Sequence, residues 1–517
     1  MDMFIKLGML VVFFAVMIGV GLYCRRHSTN VDGFVLGGRS VGPWLTAFAY
    51  GTSYFSAVVF VGYAGQFGWK YGIAATWAGI GNALIGSLLA WAVLGRRTRV
   101  MSQHLNSSTM PQFFEARFGS KALKLAASAI IFIFLIPYTA SLYNGLSRLF
   151  AMAFDIRYEV CVIVMAILTG IYVIAGGYMA TAINDFIQGI IMLVGIVAVI
   201  AAVLDRQGGL TAALEGLASI SDPAVSTVPG VFNSFFGPDP VNLAGVVLLT
   251  SLGTWGLPQM VQKFYAIKSE KAINKGMIIS TLFALVVAGG CYFLGGFGRL
   301  FSDRIDLAAG GYDSIIPTML SDLPTVLIAV VVVLVLSASM STLSSLVLAS
   351  SSTLTLDFIK GTVVRDLSEK KQLRIMRALI GVFIAISVVI AIIQYRSNVT
   401  FIAQLMGVSW GALAGAFLAP FLYGLYWKRA TVPAVWCSFL FSTLVMLLNT
   451  VAKPLFPTLL QSPINAGVFC MLAGLVLVPA VSLVTRPPEK SHLDWAFSCY
   501  ENKVVVSATD AIGEPLR

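Results

Sequence analysis

Charged residues are scarce in this chain of 517 residues: Asp, Glu, Lys and Arg together make up only 11% of it. Hydrophobic residues account for 58%, and the mean hydropathy is +0.87. Soluble domains carry about 25% charged residues, so a composition this poor in charge excludes an ordinary soluble domain. It indicates an integral membrane protein in contact with the lipid bilayer.

The sequence also lacks the residue groups that membrane enzymes and ATP-driven pumps need. The three histidines, His27, His104 and His492, fall in predicted loops or tails, which excludes a histidine metal site inside the membrane. The six cysteines form no CxxC pair or metal-binding spacing. No GxxxxGK[ST] nucleotide motif occurs, and clusters of His, Asp, Glu or Ser–Lys are missing from the apolar runs. We therefore expect no nucleotide partner and no enzyme activity.

Long apolar runs are what the chain has instead. They are roughly 20 residues long, as a membrane-crossing helix requires, whereas an outer-membrane barrel would show short alternating segments. One all-α membrane domain is predicted over 1–485, with a polar and mobile cytoplasmic tail over 486–517. The thirteen predicted spans lie near 4–24, 43–66, 72–95, 122–152, 158–176, 181–204, 241–262, 276–298, 324–352, 375–394, 401–426, 433–452 and 464–485.

The net charge of +11 has an explanation in its distribution. With thirteen spans and an external N-terminus, 25 of the 34 Lys and Arg residues fall on the inner side and 9 on the outer side. This is the positive-inside bias of membrane proteins. The basic charge therefore sets orientation in a plasma membrane, such as a bacterial inner membrane, and calls for no nucleic-acid partner.

Two of the predicted spans are interrupted. Span 2 is broken by "YGTSYFS", and span 7 carries Gly253, Gly256 and Pro258 close together. One such cluster is more simply a packing kink, but these two sit five spans apart. Broken segments in corresponding positions are typical of inverted repeats, here over about 43–204 and 241–426, with a binding site at the breaks.

Span 9 becomes crowded with hydroxyl groups in "VLSASMSTLSSLVLASSS", residues 335–352, where nine of eighteen residues are Ser or Thr. On a helix, Ala338, Ser341, Thr342 and Ser345 share one face. Close helix packing would explain any two of these small residues. Facing a broken helix, two hydroxyls together with freed carbonyls would also form a weak, reversible site for a hard cation such as sodium.

Acidic residues are nearly absent from the spans, and Asp185 in "ATAINDFIQGI" is the main exception. A cap at a helix N-terminus is one interpretation. The other is an intramembrane carboxylate that assists ion release or gating.

The sequence resembles the sodium:solute symporter family, and most of all its sodium/proline and sodium/pantothenate branch, in a series of segments that occur in this order along the chain. The segments that carry the resemblance are "DGFVLGGRSVGPW" (32–44), "SYFSAVVFVG" (53–62), "PYTASLYNGLSRLF" (137–150), "GGYMATAINDFIQ" (176–188), "ASMSTLSS" (338–345) and "GALAGAFLAPFLYGLYWKRAT" (411–431). The resemblance implies thirteen helices, a five-plus-five inverted-repeat core of the leucine-transporter type, and sodium-coupled uptake by alternating access.

Carried over by motif, the resemblance implies a sodium site made by the carbonyls of Thr52, Phe55 and Ala338 with the hydroxyls of Ser341 and Thr342. It also matches Asp185 to the aspartate of a D-x-x-Q segment. One departure is Tyr54, which stands where proline transporters carry an aspartate; Ser56 of the same motif is retained.

The solute site is expected at the two breaks, near the middle of the membrane, with Ser56 among its residues. By resemblance, Tyr138 lines this cavity and Pro258 is the proline of the broken span 7. Trp255 and Gln259 are candidates from their local position, and Gln404 from its polarity inside an apolar span; for each, plain packing is an alternative. The residues before Pro258 do not reproduce the aromatic pattern of proline transporters, which puts proline itself in doubt.

The predicted function is sodium-driven import of a small organic solute, an amino acid or a carboxylate. Proton coupling on the same fold is the alternative, and it would favour a titratable residue near Ser341, where the sequence shows none. An ion channel would require pore-lining repeats related by symmetry between subunits, whereas the breaks here lie within one chain.

Overall fold

The computed structural model describes residues 2–25, 29–154, 157–307, 311–360, 362–364, 367–397 and 402–501. Within these ranges the chain is helical and contains no β-strand. The helices are numbered α1 (Asp2–Cys24), α2 (Val31–Leu36), α3 (Pro43–Tyr54), α4 (Ala64–Tyr71), α5 (Thr76–Ala83), α6 (Arg96–His104), α7 (Met110–Phe118), α8 (Lys121–Phe154), α9 (Tyr158–Arg206), α10 (Leu210–Ser219), α11 (Pro240–Leu252), α12 (Pro258–Ala266), α13 (Glu270–Gly295), α14 (Ile315–Leu320), α15 (Thr325–Thr353), α16 (Glu369–Ser397), α17 (Ile402–Tyr426), α18 (Val432–Val451), α19 (Pro463–Val484) and α20 (Lys490–Phe497).

The all-helical membrane architecture predicted from composition is confirmed. In the described part of the chain, ten helical runs are long and apolar enough to cross a membrane. The number rises to eleven if two further helices, Pro240–Gly256 and Pro258–Ala266, count as one span; the chain bends by 48° at the break between them. The count of thirteen stays a prediction.

Two of the helical runs are too long for a single crossing. Val58–His104 has 47 residues and Tyr158–Arg206 has 49, which is about 70 Å of helix against a hydrocarbon core of about 30 Å. Each run changes direction at a glycine with positive φ: Gly72 (φ 63°, ψ −142°) and Gly177 (φ 57°, ψ −147°). A Cβ at Gly72 would lie 2.0 Å from the Phe232 carbonyl oxygen, so no other residue fits there.

The backbone leaves the helical conformation at two further points, Phe55 and Leu257. Phe55 follows α3 with φ −89° and ψ 118°, and Leu257 precedes α12 with φ −84° and ψ 124°. The near-equality of these angles means that the chain makes the same kind of extended step in both places.

The hydroxyl-rich helix α15 lies in the interior of the bundle, where it packs against α9, α8 and α3. The start of α3 is tied to the end of α12 by backbone hydrogen bonds, because Val41 donates to the Ala266 carbonyl (3.3 Å) and Lys268 donates to the Val41 carbonyl (2.9 Å). The two interrupted segments therefore meet each other beside α15.

The tail is only partly the mobile segment expected from its composition. Helix α20 buries Leu493, Ala496 and Phe497 against the rest of the protein. His104 Nε2 lies 2.8 Å from the Trp495 carbonyl oxygen, and the Tyr500 hydroxyl donates to the Arg97 carbonyl at 3.2 Å. The expectation of mobility is thus wrong for 490–500, because these apolar side chains find a surface to cover; positions 502–517 lie outside the described residues.

Candidate functional site

The end of α3 frees backbone carbonyl groups in the protein interior. Since Phe55 is extended, the helix stops at Tyr54 and the last carbonyls of α3 have no helical amide to accept from. Ser56 assists the new start, because its hydroxyl oxygen accepts a hydrogen bond from the Val58 amide at 3.2 Å. The side chain of Tyr54, the residue that departs from the family motif, lies outside the described residues.

The hydroxyls of α15 lie directly against these carbonyls. Thr342 Oγ1 is 3.0 Å from the carbonyl oxygen of Thr52, 3.1 Å from that of Phe55 and 3.1 Å from that of Ala338. Ser341 Oγ is 3.2 Å from the Thr52 oxygen and 3.1 Å from the Ala338 oxygen. The structure therefore brings together the five oxygens that the family resemblance implies as sodium ligands.

The number of hydroxyl protons decides what this cluster can do. Three carbonyl oxygens can only accept hydrogen bonds, and the two hydroxyls supply one proton each. Five contacts between hydroxyls and carbonyls are within hydrogen-bond distance, so two protons cannot serve them all at once. All five residues are at most 1% exposed, so bulk water does not reach the cluster. A cation that prefers oxygen ligands fits this surplus of lone pairs.

A chain of polar contacts leads away from the oxygen cluster along α15. Ser345, one turn beyond Ser341, has its Oγ 2.9 Å from Ser53 Oγ and 3.0 Å from Lys263 Nζ. Lys263 is only 1% exposed. An ammonium group therefore lies close to the oxygen cluster, within the interior of the protein.

Lys263 also forms a buried ion pair with Asp185, at 3.9 Å between Nζ and Oδ2. Neither carboxylate oxygen of Asp185 has a hydrogen-bond partner among the described residues. The capping interpretation of Asp185 is wrong, because the residue lies inside α9, well after the turn at Gly177. Its surroundings are those of a paired intramembrane carboxylate.

Sequence reasoning missed Lys263, which directly follows the predicted span 241–262 and is one of the 25 basic residues counted on the inner side. The expectation that no titratable residue lies near Ser341 is therefore wrong. The available signal was the run "PQMVQKFYA", in which this lysine sits among apolar neighbours just after the second break. Only the packing of α12 against α15 shows where its side chain goes.

A second group of unsatisfied polar atoms surrounds Tyr138. The Tyr138 hydroxyl and the Trp410 indole nitrogen are buried and form no well-aligned hydrogen bond among the described residues, although the side chains of Trp410 and Ser56 lie close enough to interact with the Tyr138 hydroxyl. Their rings meet edge to face at 5.9 Å between centroids. Trp410 was not among the predicted site residues, because an aromatic residue in an apolar span carries no signal distinct from packing. Buried polar atoms normally have hydrogen-bond partners, so a small polar molecule or a water beside these groups would complete their surroundings.

The second break contributes Gln259 in the same unsatisfied state. Pro258 occupies the first position of α12, where its missing amide proton costs nothing. Gln259 is fully buried, and both its amide nitrogen and its amide oxygen lack partners among the described residues. Trp255 differs, since its indole nitrogen donates to the Ile85 carbonyl at 3.0 Å. Its donor is already used within the protein.

Gln404 lies apart from this group. It stands in the first turn of α17 and lines a separate half-open pocket of about 750 Å³. That pocket also carries Lys70, Asp239 and Arg299. Gln404 is thus placed with charged loop-side residues rather than with the buried amide and aromatic groups.

Comparison with solved structures shows the fold. A Na+-coupled sialic acid symporter in a substrate-bound outward-open state superposes with a TM-score of 0.73 at 17% identity, covering 94% of this chain and 99% of that chain. A nucleobase-cation-symport-1 family transporter in a closed conformation gives a TM-score of 0.51 at 14% identity, covering 90% and 97%.

Comparison of sequences shows the family. The osmoregulated proline transporter of Bacillus subtilis is 26% identical over 494 residues, which are 95% of this chain and 96% of that protein. A sodium/proline symporter of Staphylococcus aureus is 31% identical over 434 residues, 82% and 81% of the two chains. The family model described as sodium:solute symporter matches residues 34–440, and the chain belongs to that family.

Proposed function

We propose that this chain, a sodium-coupled symporter of a small organic solute by its family, binds sodium between the end of α3 and the middle of α15. The observation that carries the proposal is the cluster of Thr52, Phe55, Ala338, Ser341 and Thr342 oxygens, which has more acceptors than protons. Because all five ligands are neutral, the site would hold the ion weakly enough to release it in every cycle.

The architecture proposed around this site is a thirteen-helix bundle with two inverted repeats, 43–204 and 241–426, within a membrane domain over 1–485. Support for thirteen spans comes from dividing the two overlong runs at Gly72 and Gly177 and counting the two interrupted segments as one span each. Support for the repeats comes from the matching backbone angles at Phe55 and Leu257. Breaks in corresponding positions are what inverted repeats produce.

For the solute, we propose a binding site formed by Ser56, Tyr138, Pro258 and Gln259, with Trp410 added from the structure. The buried hydroxyl, indole and amide groups form no well-aligned hydrogen bond among the described residues and can offer one to a small polar molecule. The N-terminal end of α12 favours a carboxylate. An amino acid or another carboxylate fits this chemistry. Trp255 keeps a packing role beside the site, and Gln404 lines the outer pocket through which solute would enter.

Asp185 and Lys263 are proposed to act on the ion after it leaves the oxygen cluster. Ser345 and Ser53 connect the cluster to the Lys263 ammonium, and Asp185 is the carboxylate beyond it. Sodium moving along this route would exchange places with the ammonium at Asp185. Proton coupling remains the second candidate, because Lys263 is the titratable residue near Ser341 that this alternative requires.

The protein is a multi-pass membrane transporter, and its bacterial relatives indicate the plasma membrane. We propose an external N-terminus and a cytoplasmic C-terminus from the excess of basic residues on one side. Its partners would be the solute, sodium and the bilayer, with no nucleotide or nucleic acid and no enzymatic step.

A thermal-shift screen of purified protein against a panel of amino acids and carboxylates tests the function. Each solute is tested in sodium chloride and in choline chloride at equal ionic strength. A transported solute should stabilise the protein more in sodium, since the two ligands are linked reciprocally. If every stabilising solute acted equally in both salts, the sodium coupling of this chain would be contradicted.

A further inference from the structure

A groove of about 730 Å³ opens on the outer face of the bundle between the first half of α9 and α16. Its lining is Ile, Val, Ala and Gly, except at one end, where Arg25 and Arg377 line it. Ile163, Ile167 and Ile171 along one wall are 46%, 58% and 43% exposed. These apolar side chains belong to candidate membrane spans, so hydrocarbon is the medium they face.

The length of the groove matches one leaflet of a bilayer. Its lining runs from Ile163 to Ala175 on α9 and from Arg377 to Val388 on α16. At 1.5 Å per residue this is about 16–18 Å, close to half of a hydrocarbon core of about 30 Å. An acyl chain lying in the groove would therefore place its headgroup at the end that carries the two arginines.

The groove is built into the packing of the two helices. At its floor, a Cβ on Gly170 would come 3.5 Å from Ile384 Cδ1, so α9 and α16 approach closely there. At Gly381 no atom lies within 4 Å of where a Cβ would be, which leaves the space open. Arg377 is held at the end of the groove by its position over the Phe34 ring, at 5.4 Å from the centroid.

We propose that this groove binds an anionic phospholipid, with an acyl chain along the apolar walls and the headgroup phosphate at Arg25 and Arg377. Guanidinium groups match phosphate oxygens geometrically, and basic pockets between membrane helices on the cytoplasmic side recognise anionic headgroups. In the orientation proposed above, the lipid belongs to the cytoplasmic leaflet. The lipid would bridge α16 and the first half of α9. That half leads through Gly177 into the second half of α9, which carries Asp185.

The test is native mass spectrometry of the purified full chain in detergent, with phosphatidylglycerol and phosphatidylcholine of identical acyl chains supplied together. The wild type should retain phosphatidylglycerol in preference to phosphatidylcholine. Arg377→Gln should lower that preference about fivefold, which corresponds to one basic group at the headgroup level. Ala385→Phe, which fills the apolar part, should lower the retention of both lipids.

Two matched variants on α16 serve as controls. Arg374→Gln removes the same charge one turn away, outside the groove, and Val382→Phe adds a ring at a side chain that is 48% exposed. Both should retain lipid as the wild type does, and thermal unfolding establishes that each variant is folded. Equal retention of the two lipids by the wild type, or an unchanged preference in Arg377→Gln, would overturn the proposal. A shift of Ala385→Phe from dimer to monomer would assign the groove to a second copy of the chain instead.

Discussion

Thr342 Oγ1 lies 3.0 Å from the carbonyl oxygen of Thr52, although 290 positions separate the two residues in the chain. The contact joins the hydroxyl-rich helix α15 to the place where α3 loses its helical hydrogen bonds. A neutral oxygen cluster in the interior is the result, and it is the place where we propose that sodium binds.

The first prediction concerns the hydroxyl ligands. Ser341→Ala and Thr342→Ala each remove one oxygen without adding bulk or charge, so the protein should fold. Loss of one neutral ligand should weaken sodium binding by about 1–3 kcal/mol, or roughly ten- to hundredfold. Sodium dependence of solute uptake in proteoliposomes measures this, and apparent solute affinity should partly recover at high sodium.

Ser344→Ala is the control for both variants. Its hydroxyl donates to the Ser341 carbonyl at 2.9 Å and is not one of the five clustered oxygens. Unchanged sodium dependence in Ser341→Ala and Thr342→Ala would mean that these hydroxyls only pack and that sodium binds elsewhere.

The second prediction concerns the sign of the Lys263 effect. The two charges concerned are the Lys263 ammonium and a sodium ion in the oxygen cluster, at a separation of one to two helical turns, or about 8 Å. Two unit charges at that separation repel by about 2 kcal/mol at an effective dielectric constant of 20. Lys263→Gln should therefore tighten sodium binding, by at most about thirtyfold, and slow release of the ion. Lys268→Gln, at an exposed lysine shortly after α12, should leave both properties unchanged.

The third prediction concerns Asp185. In Asp185→Asn the Lys263 ammonium loses its counter-charge, so sodium affinity should fall and transport should decrease. Removing one partner of a buried pair costs about 3–5 kcal/mol of stability, and the double variant Asp185→Asn with Lys263→Gln should regain part of it. Sodium titrations and thermal unfolding of the two single variants and the double variant measure both effects. If both single variants moved sodium affinity in the same direction, the charge-exchange route would be refuted.

The fourth prediction concerns topology. A cysteine introduced at position 3, just before the first span, should react with an impermeant thiol reagent added to whole cells. One replacing the exposed Glu489 should react only after the membrane is opened. Native Cys499 is a poor reporter, because burial raises the pKa of its thiol to about 11. Labelling of position 489 from outside would reverse the proposed orientation.

The sequence by itself determined the membrane class, and through the family resemblance it named the residues of the proposed cation site. Scarce charge and apolar runs of helical length leave a multi-span helical protein as the outcome, because backbone polar groups in hydrocarbon must bond within a helix. Ser341 and Thr342 lie three and four residues after Ala338, which places both hydroxyls on the side of the helix that carries Ala338, and this periodicity is local. The weak points of α3 and α12 are likewise local, in the glycines and proline near them.

Tertiary structure decided which of these faces meet. Three contacts depend on how helices far apart in sequence pack: that of Lys263 with Ser345, that of Lys263 with Asp185 and that of Trp410 with Tyr138. Local pattern could not separate Lys263 from the loop lysines that follow it, nor place Gln404 in the outer pocket rather than beside Tyr138. The physical reason is that helix periodicity fixes the direction of a side chain around its own axis, whereas burial and charge environment are set by the neighbouring helices.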